Sequence, residues 1–286
     1  ARALMRELPW RDPLGVPDLS APAAWPASDD LDTWGLLPTR PDWAAGFRKA
    51  WVPGEETARS RLDHFLDHAA DYDEDRNLPS LDGSSRLSPH LHWGEISPTQ
   101  IWHALEGLSG KGADTYRGEI VWRDYAQNVI YQSPRYPEAN YRDSFDAFPW
   151  RDPESDAAAR EDLEAWQQGR TGYPIVDAGM RQLWQIGWMH NRVRMIAASF
   201  VIKHLLIDWR EGERWYWDCL VDADFGNNAV NWQWVAGTGV DSNMFGRIMA
   251  PLTQSEKFDA ADYIRRWVPE LAHLSDTAIH DPDAAG

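Results

Sequence analysis

The stretch from Trp184 to Trp234 constrains the fold of this chain more than any other part. Its first half, WQIGWMHNRVRMIAASFVIKHLL, carries an apolar stripe at steps of three and four residues, made up of Val193, Ile196, Phe200 and Val201. That period is typical of an amphipathic helix that buries one face. The chain contains no alternating run long enough to predict a pair of strands. The sequence therefore predicts an all-α fold.

A second face of the same predicted helix is polar. Asn191, Arg194 and Met195 lie at positions i, i+3 and i+4, so they share one side of the helix. An amide, a guanidinium and a thioether together are typical of the wall of a ligand pocket. The segment Asp222–Asn228 is predicted to be a polar loop that leads into two further indoles, in the run WQW. This wall fits a flat aromatic ligand with polar edges, but a helix end followed by buried tryptophans explains the stretch alone equally well.

Length and cysteine content limit the class of protein. The 286 residues suffice for one large domain or two small ones, and the single cysteine, Cys219, excludes an internal disulfide. A reducing compartment, the cytoplasm, is the expected location. No apolar run reaches the ~18 residues of a membrane-spanning helix, and the first residues lack a signal-peptide pattern. Because the chain opens without a methionine, we expect a fragment of a longer one.

The net charge of −17, from 28 basic and 45 acidic residues, argues against nucleic acid as a partner if the charges are evenly spread. They are partly segregated, because acidic residues crowd the segments 63–75 and 152–164 while Arg192, Arg194 and Arg247 lie elsewhere. A basic surface on an acidic body is therefore allowed. The 18 tryptophans suggest packing against a large aromatic ligand as well as against one another, since each buried indole needs a partner for its N–H.

The remaining elements follow from local patterns. Residues 1–54, rich in proline, glycine and tryptophan, are predicted to be a surface linker. Helices are predicted from Glu55, over 115–132, over Arg160–Gln168 and at Tyr263–Trp267, and loops over Tyr72–Gly83 and Ser133–Pro153. The acidic tail after Pro269 is predicted to lie on the surface. We therefore expect a connector over residues 1–54, a helical domain over 55–270 and a tail over 271–286.

The run GSSRLSP, which begins at Gly83, precedes a predicted helix. Free backbone N–H groups, serine hydroxyls and Arg86 suit a diphosphate at a helix N-terminus. Simple N-capping of two short helices is the alternative, and it is favoured when the run is taken alone. The nearby histidines His90, His92 and His103 have no common zinc spacing, so no metal is expected.

The helix predicted over 115–132 presents one face with an acid, an indole and a guanidinium in line. Tyr116, Glu119, Trp122 and Arg123 fall at i, i+3, i+6 and i+7. Such a line is typical of a recognition surface. The alternative is a solvated Glu119–Arg123 pair at i, i+4, which stabilises a helix by a few tenths of a kcal/mol.

Five segments together resemble the photolyase/cryptochrome family. They are GSSRLSPHLHWGEISP, EIVWRDYAQN, TGYPIVDAGMRQLWQIGWMHNRVRM, LLIDWREGERW and DADFGNNAVNWQWVAGTGVD. They extend over roughly residues 45–270 and are similar to the helical FAD-binding domain of that family. The resemblance implies an all-α fold with FAD as its cofactor. It also implies that the family's N-terminal α/β antenna domain, with any antenna chromophore, is absent from this chain.

By position, the resemblance implies a cofactor site. The residues matched to FAD binding are Tyr72, Ser84, Ser85, Arg86, Leu87, Ser88, Tyr116, Arg123, Arg194, Asp222, Ala223, Asp224 and Asn228. The segment Tyr72 with Ser84–Ser88 would hold the diphosphate, and Arg194 would pair with Asp222 near the flavin ring. Asn228 would face flavin N5, where an asparagine is typical of the DNA-repair branches.

The resemblance also implies a substrate site and an electron path. The residues matched to the flipped dimer and to DNA are Glu119, Trp122, Arg123, Asn191, Arg192, Met195, Trp234, Arg247 and Gln254. Trp232 and Trp209 match the inner members of the family's tryptophan chain. Trp150 matches the outer member, within a stretch that is longer than the family's usual one. Glu119 and Asn228 would act with these tryptophans in catalysis.

The branch of the family is implied by two residues. The run Met189-His190-Asn191 stands where (6-4) photolyases usually carry a histidine pair, whereas Asn191 and Met195 resemble enzymes that act on cyclobutane dimers. The implied activity is light-dependent splitting of cyclobutane pyrimidine dimers by a monomeric lyase, with damaged DNA as its partner. Two alternatives are a cryptochrome-type blue-light receptor that uses the same FAD and tryptophans, and a helical flavin-binding module without light chemistry.

Overall fold

The structure, a computed structural model, describes residues 11–12, 14–243 and 248–285. The helices in these ranges are α1 (Ala45–Ala50), α2 (Glu55–Leu66), α3 (Tyr72–Asp75), α4 (Ser88–His92), α5 (Pro98–Ala104), α6 (Lys111–Gln132), α7 (Ala157–Gln167), α8 (Pro174–Ile186), α9 (Asn191–Ser199), α10 (Trp209–Cys219), α11 (Phe225–Ala236), α12 (Pro251–Lys257), α13 (Ala261–Trp267) and α14 (Pro282–Ala285). Short 3₁₀ turns lie at Leu31–Trp34, Asp143–Phe145, Pro269–Leu271 and Ala278–His280, and a π-helical turn, Phe200–His204, extends α9.

The predicted all-α class is confirmed. Within the described ranges there is no β-strand, and the β-type pairing there is a single bridge between Arg151 and Ile207. None of the helices in those ranges is long and apolar enough to cross a membrane.

The larger hydrophobic core surrounds α8 and α9. The stripe predicted from the sequence, Val193, Ile196, Phe200 and Val201, is buried in it. Trp166 of α7 and Trp209 of α10 are fully enclosed in the same core. Burial of an aromatic side chain of this size removes 150–250 Å² from water and dominates the packing energy. These contacts hold α7 to α11 as a rigid frame around the middle of the chain.

A second, smaller core lies under α2. The predicted stripe Ala58, Leu62 and Phe65 is buried there, beside Tyr72 of α3 and Tyr116 of α6. Because α6 is 22 residues long, its first half packs on this core and its second half, at Val129, packs beside α11. The long helix therefore joins the smaller core to α11, whose Trp232 and Val235 belong to the larger core.

Two predicted loops are shorter than expected. The loop predicted over Tyr72–Gly83 opens with the short helix α3, because the Tyr72 ring is buried against Phe65. The polar loop predicted over Asp222–Asn228 ends at Asp224, whose carboxylate accepts a hydrogen bond from the backbone N–H of Asn227 at 2.8 Å. That bond is a normal N-cap, so α11 begins at Phe225 and includes Asn228.

The ends of the predicted helical domain also differ from expectation. The prediction of a surface tail is wrong for Ile279, which is fully buried, and for His280, whose Nδ1 lies 2.7 Å from Ser255 Oγ. Within the predicted linker, α1 packs on α8, and the indole N–H of Trp51 donates to the carbonyl of Ile186 at 2.7 Å. Proline and glycine content indicates where a chain turns, but it does not show which of these segments pack against neighbouring helices. The domain bounds 1–54, 55–270 and 271–286 stay predictions.

Candidate cofactor and substrate site

The loop Ser84–Ser88 leads from α3 into the first residue of α4, and it contacts α6 through Tyr116. The Tyr116 hydroxyl donates to Ser85 Oγ at 2.9 Å, and Ser85 Oγ also accepts from the backbone N–H of Leu87 at 3.3 Å. Gly83 lies so close to Asp75 that a Cβ atom there would collide with its backbone. Arg86 has φ +49°, a left-handed conformation that is costly for a residue with a side chain. The loop is thus a tightly fixed cradle.

Simple N-capping, the alternative predicted for two short helices, is present at only one of them. Ser97 caps α5 in a capping box with Gln100. In contrast, α4 has Leu87 at its N-cap and receives no side-chain cap. Ser84 and Ser85 therefore do not cap α4.

Trp188 joins this loop to α9. The guanidinium groups of Arg86 and Arg194 lie 5.1 Å and 5.8 Å from the centroid of its ring. Each contact is a cation–π interaction that fixes the direction of a charged side chain. The sequence analysis did not single out Trp188, because one indole among 18 has no periodic or motif signal.

Arg194 and Asp222 form the expected pair, with Nη2 and Oδ2 2.9 Å apart. Arg194 Nε also donates to the carbonyl of Met189 at 2.7 Å. Asp222 Oδ1, by contrast, is buried and has no hydrogen-bond partner among the described residues. An unpaired buried carboxylate oxygen is costly, so this site fits a ligand with an N–H group that points at Asp222.

Asp224 is surrounded by donors. Its Oδ2 lies 3.0 Å from Arg123 Nη2, and its Oδ1 accepts from Gln127 Nε2 at 2.8 Å. The predicted alternative, a solvated Glu119–Arg123 pair, is wrong, because each residue is paired with a partner on another element. Arg123 thus ties α6 to the start of α11 beside Ala223, which is 8 % exposed.

Asn228 is buried on the first turn of α11, and both hydrogens of its amide are used. Its Nδ2 donates to Glu213 Oε1 at 2.8 Å and to the backbone carbonyl of Glu213 at 3.0 Å. A carbonyl only accepts, so the amide nitrogen must face Glu213 and the amide oxygen must face away from it. Burial raises the pKa of Glu213. This partner was not predicted, because fifteen residues separate Glu213 from Asn228.

Glu119 belongs to a second ion pair, with Arg76. Its Oε1 lies 2.5 Å from Arg76 Nη1, and the side chains of Glu119 and Arg76 are 36 % and 21 % exposed. The guanidinium of Arg76 also stacks over the Tyr72 ring at 5.3 Å. One turn along α6, Trp122 is half exposed and packs edge-on against Tyr125. An oriented carboxylate therefore lies beside an open indole face.

The other residues matched to DNA lie along α9 to α12. Asn191 is exposed at the start of α9, while Arg192, Met195, Trp234 and Gln254 are partly buried. Met195 Sδ lies 3.8 Å from Arg192 Nη1. Arg247 falls outside the described residues. The role of this group in DNA binding stays a prediction.

Trp232 is buried, and its ring has two aromatic neighbours among the described residues. Their ring centroids lie 4.9 Å away at Tyr216 and 6.3 Å away at Trp166. Trp209 is fully buried and donates its indole N–H to Asn140 Oδ1 at 2.9 Å. Trp150 is half buried against Phe148, with ring centroids 4.2 Å apart. Trp232 and Trp209 lie in the larger core and Trp150 packs against it, while Trp166 and Tyr216 are the rings beside Trp232. The order of the tryptophans in an electron path stays a prediction.

Replacing Asp222 with leucine should destabilise the protein before any ligand is considered. The change leaves the Arg194 guanidinium without its buried partner, and breaking such a pair costs ~3–5 kcal/mol. Thermal unfolding of the cofactor-free protein would measure the loss. Asp218→Leu, at an exposed position on α10, serves as the matched control. A midpoint for Asp222→Leu equal to that of the control would contradict the assigned ion pair.

The fold and this site define an all-helical domain whose fixed serine loop, guanidinium groups and buried carboxylates suit an anionic nucleotide cofactor. The model of the family described as the FAD binding domain of DNA photolyase matches residues 116–286. The chain belongs to that family, and its cofactor is FAD.

Similar proteins agree with this assignment. A deoxyribodipyrimidine photo-lyase of Agrobacterium fabrum is 55 % identical over 270 residues, which cover 92 % of this chain and 55 % of that protein. The crystal structure of a bacterial class III photolyase from Agrobacterium tumefaciens has a TM-score of 0.87 at 53 % identity and covers 94 % of this chain and 56 % of that one. A Synechocystis cryptochrome has a TM-score of 0.74 at 35 % identity, with 82 % and 49 % of the two chains covered. The chain thus spans about half the length of the curated relatives it matches.

Proposed function

We propose that this chain is the cofactor-binding and catalytic part of an enzyme that splits cyclobutane pyrimidine dimers in DNA under light. The observation that carries the proposal is Glu119, a carboxylate oriented by Arg76 and placed one turn from the open face of Trp122. Membership of the DNA photolyase family and the names of the relatives support the reaction class.

The residues present fit FAD. A flavin carries an imide N–H, which can satisfy Asp222 Oδ1, the oxygen that has no hydrogen-bond partner among the described residues. The fixed Ser84–Ser88 loop, which includes Arg86, suits the diphosphate. Tyr72 and Tyr116 support this loop from the smaller core, and Arg123 with Asp224 suits the sugar side of the nucleotide. When bound, FAD supplies the light-excited electron donor; the protein supplies its position and surroundings.

Asn228 is proposed to set the polarity beside flavin N5. Because Glu213 takes both amide hydrogens, Asn228 offers only its carbonyl oxygen. That oxygen accepts a hydrogen bond from a protonated N5, which favours the reduced cofactor over the oxidised one.

The substrate has to leave the DNA duplex to reach this site. A dimer in a duplex is stacked, and flipping it out costs a few kcal/mol, less for damaged bases. The faces of Trp122 and Trp234 can stack with the extruded bases, while Asn191 and Met195 line the other side. The Glu119 carboxylate, which only accepts, then receives a hydrogen bond from an N–H group of the dimer and positions it beside the cofactor.

Repair is tested with an oligonucleotide that contains one cyclobutane dimer. Protein loaded with chemically reduced FAD should restore the intact bases under blue light and not in the dark. An oligonucleotide with a (6-4) photoproduct should stay unrepaired. If no dimer is split by protein with full FAD content, the proposal is wrong.

A blue-light receptor is the second candidate, and the likeness to the Synechocystis cryptochrome favours it. The fold does not separate the two functions, because function resides in the site. A receptor has no need of an acid at position 119, since no dimer enters. Failure of the repair assay together with light-dependent reduction of FAD would favour the receptor.

Glu213 gives a test of the Asn228 geometry. Glu213→Gln and Glu213→Leu both remove the carboxylate charge, but only glutamine keeps an oxygen that accepts from the Asn228 amide. We expect the reduction potential of bound FAD to be lower in Glu213→Leu than in Glu213→Gln, because a released amide can turn its N–H toward N5. Equal potentials in the two variants would mean that Glu213 does not orient Asn228.

A further inference from the structure

Two histidines form a pair of rings at the end of α2. His64 lies in the last turn of that helix, and His68 lies in the turn that follows it. Their ring centroids are 5.2 Å apart, and the ring planes are inclined by 69°. A spacing of i, i+4 puts both side chains on one face, and it is the spacing at which a helix presents two imidazoles to one metal ion.

The ring nitrogens of this pair are not hydrogen-bonded within the part of the chain that the structure describes, and both side chains are exposed. Other histidines of the chain differ in this respect. A ring nitrogen lies within hydrogen-bond distance of a neighbouring side chain in His90, His103 and His280. A neutral imidazole binds a metal through the lone pair of one ring nitrogen. His64 and His68 can therefore both offer a lone pair to an ion from solvent.

The distance between the two rings suits a single metal ion. A Zn–N bond of ~2.0–2.1 Å puts the metal ~3.2 Å from the centroid of each imidazole ring. Two centroids that are 5.2 Å apart then subtend an angle of ~109° at the metal, which is the tetrahedral angle of most zinc sites. Because both side chains are exposed, rotation about their χ angles can turn one nitrogen of each ring toward that point.

The surroundings of the pair favour a cation. Asp63, Asp67 and Asp71 lie beside the histidines in the chain, and no lysine or arginine pairs with them within the described ranges. Asp73, by contrast, is paired with Lys111 at 2.6 Å. The C-terminal end of a helix also carries partial negative charge. An ion at the end of α2 would therefore be attracted by the helix as well as by three uncompensated carboxylates.

We propose that His64 and His68 bind one divalent transition-metal ion of the class that prefers imidazole, with zinc as the type case. The described residues contain no group of three or more histidine, cysteine or carboxylate side chains arranged for a metal, so the two imidazoles form a chelate whose other positions hold water. The chelate joins the last turn of α2 to the turn before α3, and it would fix the segment that leads to the buried Tyr72. The inference does not depend on the proposed function.

The site is tested by calorimetric titration of the FAD-loaded chain with zinc chloride, in a buffer that does not bind metal. His64→Gln and His68→Gln should each lower the affinity for zinc tenfold or more, because one imidazole alone makes no chelate. His273→Gln is the matched control, since His273 is exposed and has no ring partner among the described residues. The control should bind zinc as the parent does. All three positions are exposed, so each variant should fold normally.

Magnesium separates the imidazoles from the carboxylates as the source of binding. Magnesium prefers oxygen ligands, so an excess of it should leave zinc bound to the parent. If magnesium displaces the zinc, or if zinc binds equally well to His64→Gln and His273→Gln, only the acidic side chains attract the ion and the proposal is wrong.

Hydrogen exchange gives a second measurement that an ion bound elsewhere would not change. Zinc should slow the exchange of the backbone amides of residues 67–71 in the parent, because the chelate holds this turn to α2. The same amides should be unaffected by zinc in His68→Gln. Equal exchange with and without zinc in the parent would contradict a chelate that joins α2 to this turn.

Discussion

Trp232→Phe should lose most of the light-driven reduction of oxidised FAD while keeping dimer repair by chemically reduced protein. Phenylalanine retains most of the apolar contact in this buried position, but it removes the oxidisable indole. We expect the photoreduction rate to fall roughly tenfold or more, equivalent to ~1.4 kcal/mol or more in activation free energy. Repair needs no electron from tryptophan, so its yield should be unchanged. Absorption spectra during illumination would measure the first quantity.

Neighbouring rings provide the controls for this experiment. Gly212 of α10 leaves room for the Trp232 ring, since a Cβ atom there would overlap it, so the ring position depends on close packing. Trp209→Phe should slow photoreduction as well if the predicted order of tryptophans holds. If Trp166→Phe slows it and Trp209→Phe does not, the electron leaves by the ring that the structure puts beside Trp232. Loss of both photoreduction and repair in Trp232→Phe would mean that this tryptophan is structural.

The sequence predicted the helices well because their signal is local. A stripe such as Val193, Ile196 and Phe200 needs only the helical period and a core to face, and both conditions hold. The pair Arg194–Asp222 was also predicted, through the resemblance to a family, and it is present at 2.9 Å. Element boundaries were predicted less well, since the start of α11 depends on one capping carboxylate at Asp224.

The partners of the site residues could not be predicted from spacing. Glu119 and Arg123 are four residues apart on one helix, which favours a local pair. In the folded chain, Glu119 instead pairs with Arg76, which is 43 residues away, and Arg123 pairs with Asp224. Each of these pairs joins two elements, so it forms only when α3, α6 and α11 are packed together. Local sequence carries no signal for such a choice.

Glu119 also tests whether this chain serves an enzyme. In a repair enzyme, the loss of one hydrogen bond to a charged group should cost ~1.5–3 kcal/mol, partly offset because light provides the driving force. Glu119→Ala should therefore lower the quantum yield of dimer splitting clearly. Glu119→Gln should have a milder effect, because its amide oxygen still accepts hydrogen bonds.

The pair with Arg76 requires one control. Glu119→Ala leaves the Arg76 guanidinium without a carboxylate, so part of its effect can arise from a disturbed α3. Arg76→Gln disturbs the same pair while it keeps the acid, and comparing the two variants separates the loss of the carboxylate from the loss of the pair. The measurement is the quantum yield with reduced FAD and saturating dimer-containing DNA, with FAD content checked in each variant. If Glu119→Ala repairs as well as the parent, the dimer does not bind against this face of α6, and the substrate site has to be sought on the side of Asn191 and Met195.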